Sequence, residues 1–139
     1  MTDLGSAEFW QRIQTEPAKL AAEVCFVDVA NLEVTLQKQP GLCAWVNAQF
    51  EVARIEEERA KWVLTVAHAR ALLAATGTVD ERQATAHTAV AVLAAQEALF
   101  AAQEKRGALR AMAKALDDRE QMLIQISARQ RKEIETYNR

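Results

Sequence analysis

A chain of 139 residues, half of them apolar, is long enough to bury the core of one ordinary domain, which excludes a disordered tail. Its 17 Lys and Arg against 19 Asp and Glu give a net charge of -2, which excludes a generic cationic coat for nucleic acid. The charges are unevenly spread: residues 1–58 hold 4 basic and 10 acidic side chains and residues 59–139 hold 13 and 9, so a polyanion is expected to meet the second half.

With 4 Gly, 2 Pro and 6% aromatic residues, in a background rich in Ala, Glu and Gln, the composition predicts helix and almost no strand. Ser6 ahead of Ala7-Glu8-Phe9-Trp10 reads as the cap of a short first helix in an N-terminal segment over 1–16. Thr15-Glu16-Pro17 reads as a cap followed by a proline, tolerated in the first turn of a helix over 17–38. Within it, Val24, Val27, Val29 and the alternation Leu32-Glu33-Val34-Thr35-Leu36 would also suit a strand; helix is kept because no partner strand is evident. Gln39-Pro40-Gly41 is expected to end this helix, because proline lacks the amide and clashes with the preceding turn.

A long helix is predicted over 42–75. Trp45, Ala48, Val52, Ile55, Arg59, Trp62, Val66, Ala69 and Leu73 alternate steps of three and four along it, a narrow seam of coiled-coil type interrupted by one arginine. Gly77 then suits a left-handed stop, and Thr78 and Glu81 have capping-box spacing for a restart, so a hairpin turn is placed there. A second long helix is predicted over 79–136, its later seam formed by Leu109, Met112, Leu116, Arg119, Leu123 and Ile126. Its earlier stripe, Val92, Ala95, Leu99 and Ala102, runs out of phase with the later one, which reads as a stutter near Gly107, with a bend there as the other possibility. Seams this narrow leave little for an internal core, so an antiparallel helical hairpin is expected to assemble with copies of itself into a ring or bundle.

Catalytic signatures are scarce. The sequence holds no Gly-rich phosphate loop, no His-Glu-x-x-His and no nucleophile elbow, so no enzyme is expected, and no cofactor. His68 and His87 flank the predicted turn and could approach one another, with Asp80 or Glu81, but such pairs are usually plain surface residues and no metal is expected. Cys25 and Cys43 are too few for a disulfide framework and read as small buried side chains; with no basic-then-apolar leader and no apolar run longer than Ala89–Ala95, a reduced cytoplasmic setting without a membrane span is expected.

The cations are more informative. Arg54, Lys61 and His68 recur every seven residues and share one side of the helix, although Glu57 and Glu58 stand at ion-pairing distance from Lys61. Arg59 and Arg70 are eleven apart, three helical turns, and both point along the apolar seam, where each needs a carboxylate or an anionic ligand. A further basic surface is expected from Arg119, Arg129, Arg131 and Lys132, with Lys105, Arg106, Arg110 and Lys114 before it.

Four segments taken in order resemble the UvsY-type recombination mediators of tailed phages: Lys19-Leu20-Ala21-Ala22-Glu23, Arg54-Ile55-Glu56, His68-Ala69-Arg70 ahead of Gly77, and Ala115 to Ile126 followed by Arg129, Arg131 and Glu133. The resemblance implies an all-helical homo-oligomer, a ring of about six or seven subunits whose copies act with avidity. It also implies single-stranded DNA as ligand, a RecA-like recombinase and a single-strand-binding protein as partners, and, for a phage protein, the host cytoplasm. Carried over, the DNA-contacting pair is His68 and Arg70, with histidine standing where the family has lysine; Lys61, Arg54 and Arg59 on the same helix are expected to complete the DNA-binding set. The other class of reading is a helical scaffolding or adaptor module that binds no nucleic acid.

Overall fold

The computed structural model describes residues 6–27 and 29–138. The chain is all-helical, with no strand among the described residues. In order come α1 (Ala7–Thr15), α2 (Pro17–Cys25), a 3-10 turn (Val29–Asn31), α3 (Leu32–Ala74), α4 (Val79–Thr88) and α5 (Val90–Tyr137). No single described helix is long and apolar enough to cross a membrane.

Two compact units make up the chain, one from residues 1–50 with 108–139, the other from residues 51–107. In the first, Ser6 caps α1 by accepting the Phe9 N–H at 3.1 Å, and Pro17 opens α2, where the missing amide costs nothing. Phe9 and Ile13 of α1, Leu20 of α2, Val46 of α3 and Leu109, Met112, Leu116 and Leu123 of α5 are buried, and Phe9 meets Trp45 edge-on with ring centroids 5.3 Å apart. These large side chains form a conventional apolar core.

The helix break expected at Pro40 is absent: α3 runs through Pro40 and Gly41. A proline there costs on the order of 3 kcal/mol. The opposing force is tertiary, because Gln39 is buried and donates Nε2 to the Leu116 carbonyl of α5 at 2.9 Å, while Val46 two turns on lies in the core. The helix expected over 17–38 is correspondingly divided. α2 stops at Cys25, Phe26 is extended, and the Val29–Asn31 turn leads into α3.

The second unit is a helical hairpin. Gly77, at φ +109°, makes the left-handed stop, and Thr78 and Glu81 close a complete capping box: the Thr78 N–H donates to Glu81 Oε2 at 2.8 Å and the Glu81 N–H to Thr78 Oγ1 at 3.4 Å. Glu81 is held below the usual carboxylate range by these hydrogen bonds, the backbone one first. The single helix expected over 79–136 is interrupted at Ala89, whose extended backbone separates α4 from α5. No glycine or proline marks the spot. Thr88 Oγ1 donates back to the Ala84 and Thr85 carbonyls, and the Val92 and Leu93 amides restart the next helix on the Ala89 carbonyl. Gly107 lies inside α5, without a break. The burial of α5 nevertheless changes phase there. Val92, Ala95, Leu99, Ala102, Arg106, Leu109, Met112 and Leu116 are buried or half-buried, and the two successive steps of three after Arg106 make a stammer, not the stutter expected.

Candidate functional site

On α3 the expected apolar seam faces outward in the second unit. Val52 and Ile55 are nearly half-exposed, Trp62 is 69% and Leu73 82% exposed, Val66 is half-buried, and Arg59 and Ala69 are exposed. The inward series is a different heptad, Ala53, Glu57, Ala60, Leu64, Ala67 and Ala71, all buried or half-buried. At 100° per residue the two series lie on nearly opposite sides of the helix. Sequence periodicity favoured the seam with larger side chains. The packed face is the one whose methyl groups let helices come close. Of the other seam residues expected, Leu109, Met112, Leu116 and Leu123 are buried, while Trp45 and Ile126 are half-buried.

The inward face of the second unit carries its charge in pairs. Glu57, 4% exposed, accepts from Arg106 at 2.7 Å and is bridged by Lys61 at 3.0 Å; Glu56 accepts from Lys105 at 2.8 Å. Arg106 and then Lys61 hold the Glu57 carboxyl below its ordinary range. Lys61 also meets Glu58 at 2.9 Å, and Arg54 meets Glu51 at 2.8 Å. Both cations are thereby held above their ordinary range, by the hydrogen bonds that Lys61 donates to Glu58 and then Glu57 and that Arg54 donates to Glu51. Arg54 and Lys61 therefore spend their charge within the chain. So do Lys105 and Arg106, which sequence reasoning placed on an outer basic surface.

His68 and His87 do come together, ring centroids 4.9 Å apart and tilted by 53°, with His68 Nε2 buried and lacking a hydrogen-bond partner. Of the two carboxylates expected near them, Asp80 and Glu81, Glu81 is committed to the capping box. His68 thus packs against α4, apart in role from Arg70, which is exposed and has no ion pair among the described residues. Arg59 shares that condition.

Arg119, expected on the basic surface, is half-buried and donates Nη1 to the Val24 carbonyl at 2.6 Å, satisfying one of the orphan acceptors at the end of α2. Arg82 does the same for α3 through the Leu72 carbonyl at 2.9 Å. Arg12 clamps Glu16 at 3.0 Å and Glu23 at 2.6 Å, binding α1 to α2. Neither Arg82 nor Arg12 was singled out from the sequence; the only available signal was an arginine close to a helix end. Cys43 is half-buried and its thiol is pushed up by burial, while the side chain of Cys25 lies outside what is described.

The remaining expected cations, Arg129, Arg131 and Lys132, are exposed on the last turns of α5 and make no ion pair among the described residues. Arg110 and Lys114 lie exposed earlier on the same helix. Among the described residues, the exposed cations without an ion pair are therefore Arg59 and Arg70 in one unit and Lys38 of α3 with Arg110, Lys114, Arg129, Arg131 and Lys132 of α5 in the other. No family model, no curated protein and no solved structure matches this chain.

Proposed function

We propose that the chain is a recombination mediator: it binds single-stranded DNA as a homo-oligomer and helps load a RecA-like recombinase in place of single-strand-binding protein. The observation that carries this reading is the sorting of the cations. Arg54, Lys61, Lys105 and Arg106 are neutralised internally, whereas Arg70, Arg129, Arg131 and Lys132 are exposed and make no ion pair among the described residues. Support also comes from the ordered resemblance of four segments to UvsY-type mediators and from the outward apolar stripe of α3, which self-association would cover.

The physics of the task suits so sparse a charge. One subunit at net -2 holds a polyphosphate weakly, but repeated copies engage one strand with avidity. Contacts to phosphate are sequence-tolerant and fall steeply with salt, which lets the strand be handed on.

The test is fluorescence anisotropy of a labelled oligothymidylate. The full chain is expected to bind at low salt and release as salt rises. Replacing Arg129, Arg131 and Lys132 together by Ala is expected to weaken binding at least about tenfold, three lost phosphate contacts each reducing the salt slope. Arg70→Ala is expected to weaken it further. An unchanged titration in both variants would defeat the reading. A mediator should also shorten the lag of recombinase ATPase on DNA coated with single-strand-binding protein. The second reading, a helical scaffold without nucleic acid, is favoured by the internal pairing of four cations; it predicts no salt-sensitive retention on single-stranded DNA resin.

A further inference from the structure

We infer that the outward stripe of α3 is a two-fold contact with a second copy of this chain, the two helices antiparallel and each Arg59 stacked on the other copy's Trp62. This deepens the self-association part of the reading above and does not need the DNA-binding part.

The stripe Val52, Ile55, Arg59, Trp62, Val66 and Ala69 keeps an unbroken three-four spacing on the face of α3 turned away from its own hairpin. Val63 and Leu73, 55% and 82% exposed, widen and extend it. A continuous stripe of this kind is uncommon on a lone chain, and its heptad spacing fits another helix better than a flat surface.

The identity of that helix follows from Arg59. In a parallel pair of copies each Arg59 would lie beside the other, like charge on like. In an antiparallel pair the spacing is unchanged by reversal, so seam positions meet seam positions only in registers one heptad apart. One register sets Val52 opposite Ala69, Ile55 opposite Val66 and Arg59 opposite Trp62. Large then meets small at the ends, two branched residues meet further in, and both guanidinium groups lie over indole faces about the dyad, a favourable cation–π geometry. The same register brings Arg70 to the flank where Glu51 of the other copy already meets its own Arg54 at 2.8 Å, at either end. Sliding by a heptad one way puts Arg59 against the Ala69 methyl; sliding the other way puts it against Ile55. Neither offers the cation a partner.

Two consequences distinguish this contact from self-association in general. A dyad that uses every copy of α3 yields assemblies with an even number of chains, so the odd member of the six-or-seven expectation is excluded. Arg59 is removed from the DNA-binding set, and Arg70 stays at the rim.

Cysteine pairing in the full chain reads the register. With Cys25→Ser and Cys43→Ser as background, chains carrying Ile55→Cys and chains carrying Val66→Cys are mixed and mildly oxidised. A disulfide-linked dimer is expected from the mixture and from neither variant alone. Dimers from mixed Trp62→Cys and Val66→Cys chains instead, or none from the first mixture, would overturn the register. Native mass measurement of the unaltered chain keeps the test independent of the cysteine variants: even-numbered species are expected at micromolar concentration, with Trp62→Glu shifting them to monomer. A monomer or an odd-numbered ring for the unaltered chain overturns the contact. Loss of DNA binding with the disulfide pattern intact would refute the mediator reading and leave this one standing.

Discussion

The two units solve the same problem with opposite means. The unit built from the chain ends buries a core of large apolar side chains, Phe9, Ile13, Leu20, Leu109, Met112, Leu116 and Leu123, while Phe26, Ile124, Ile134 and Tyr137 stay exposed. The 51–107 unit hides Ala53, Ala86, Val92, Ala95 and the carboxylate of Glu57, and leaves Trp62, Val63, Leu73, Val90, Leu93 and Phe100 outside. A helix pair zipped by alanines and ion pairs can be regular yet gains little from burial, since the area removed from water is small and each buried charge must recover its lost hydration. Its larger apolar side chains stay on the surface.

Substitutions can break that contrast. The largest effect is expected from Leu116→Ala, which empties a site 1% exposed and should cost about 2–5 kcal/mol in urea unfolding. If it costs no more than Trp62→Ala measured on dissociated chains, the first unit is not the better packed of the two. Pro40→Ala should act in the other direction. Restoring an amide inside α3 and removing the ring clash is expected to raise stability by about 2 kcal/mol, read by the same titration. Gly77→Ala is expected to lower it by about 1 kcal/mol, because φ is +109° and the new Cβ would meet Glu81 Oε2 at 2.5 Å, disturbing the capping box. Trp62→Ala should change the stability of a dissociated chain by under about 0.5 kcal/mol, as surface substitutions do, while weakening assembly.

Acid should sharpen the same contrast. Glu57 and Glu81 both have folded-state values below the ordinary 4.5, so each contributes stability that is present above 4.5 and is lost as pH falls through the folded value. Both lie in the 51–107 unit. Hydrogen exchange below pH 4.5 is expected to open amides around Glu57 before those around Leu116, and Glu57→Gln should abolish the difference between pH 6 and pH 4 at those amides. Equal opening of the two regions would show that the ion pairs do not hold the hairpin. Glu16 and Glu23, lowered chiefly by Lys19 and Arg12 respectively, make a second acid-sensitive set in the other unit.

Much of this was legible without coordinates. The all-helical class, the Ser6 cap, the turn at Gly77 with its Thr78–Glu81 box, and the buried Leu109, Met112, Leu116 and Leu123 follow from propensity, capping spacing and periodicity, which act within a few residues of one another. The pairing of Lys61 with Glu57 and Glu58 was visible for the same reason. Other features rest on partners distant in the chain: Gln39 on the Leu116 carbonyl holds α3 together across Pro40, Arg119 on the Val24 carbonyl turns an expected surface cation into a helix cap, and Arg106 on Glu57 turns another into a half-buried ion pair. Which of two heptads on α3 faces its own hairpin was also a tertiary decision. Both satisfy the same repeat, and close approach of helices selects the alanine face while bulk favours the other. The sequence by itself therefore determined where helices start and what they could bury; the tertiary structure decided which face, which cations and which helix interruption, because those depend on energies paid between residues that only folding brings together.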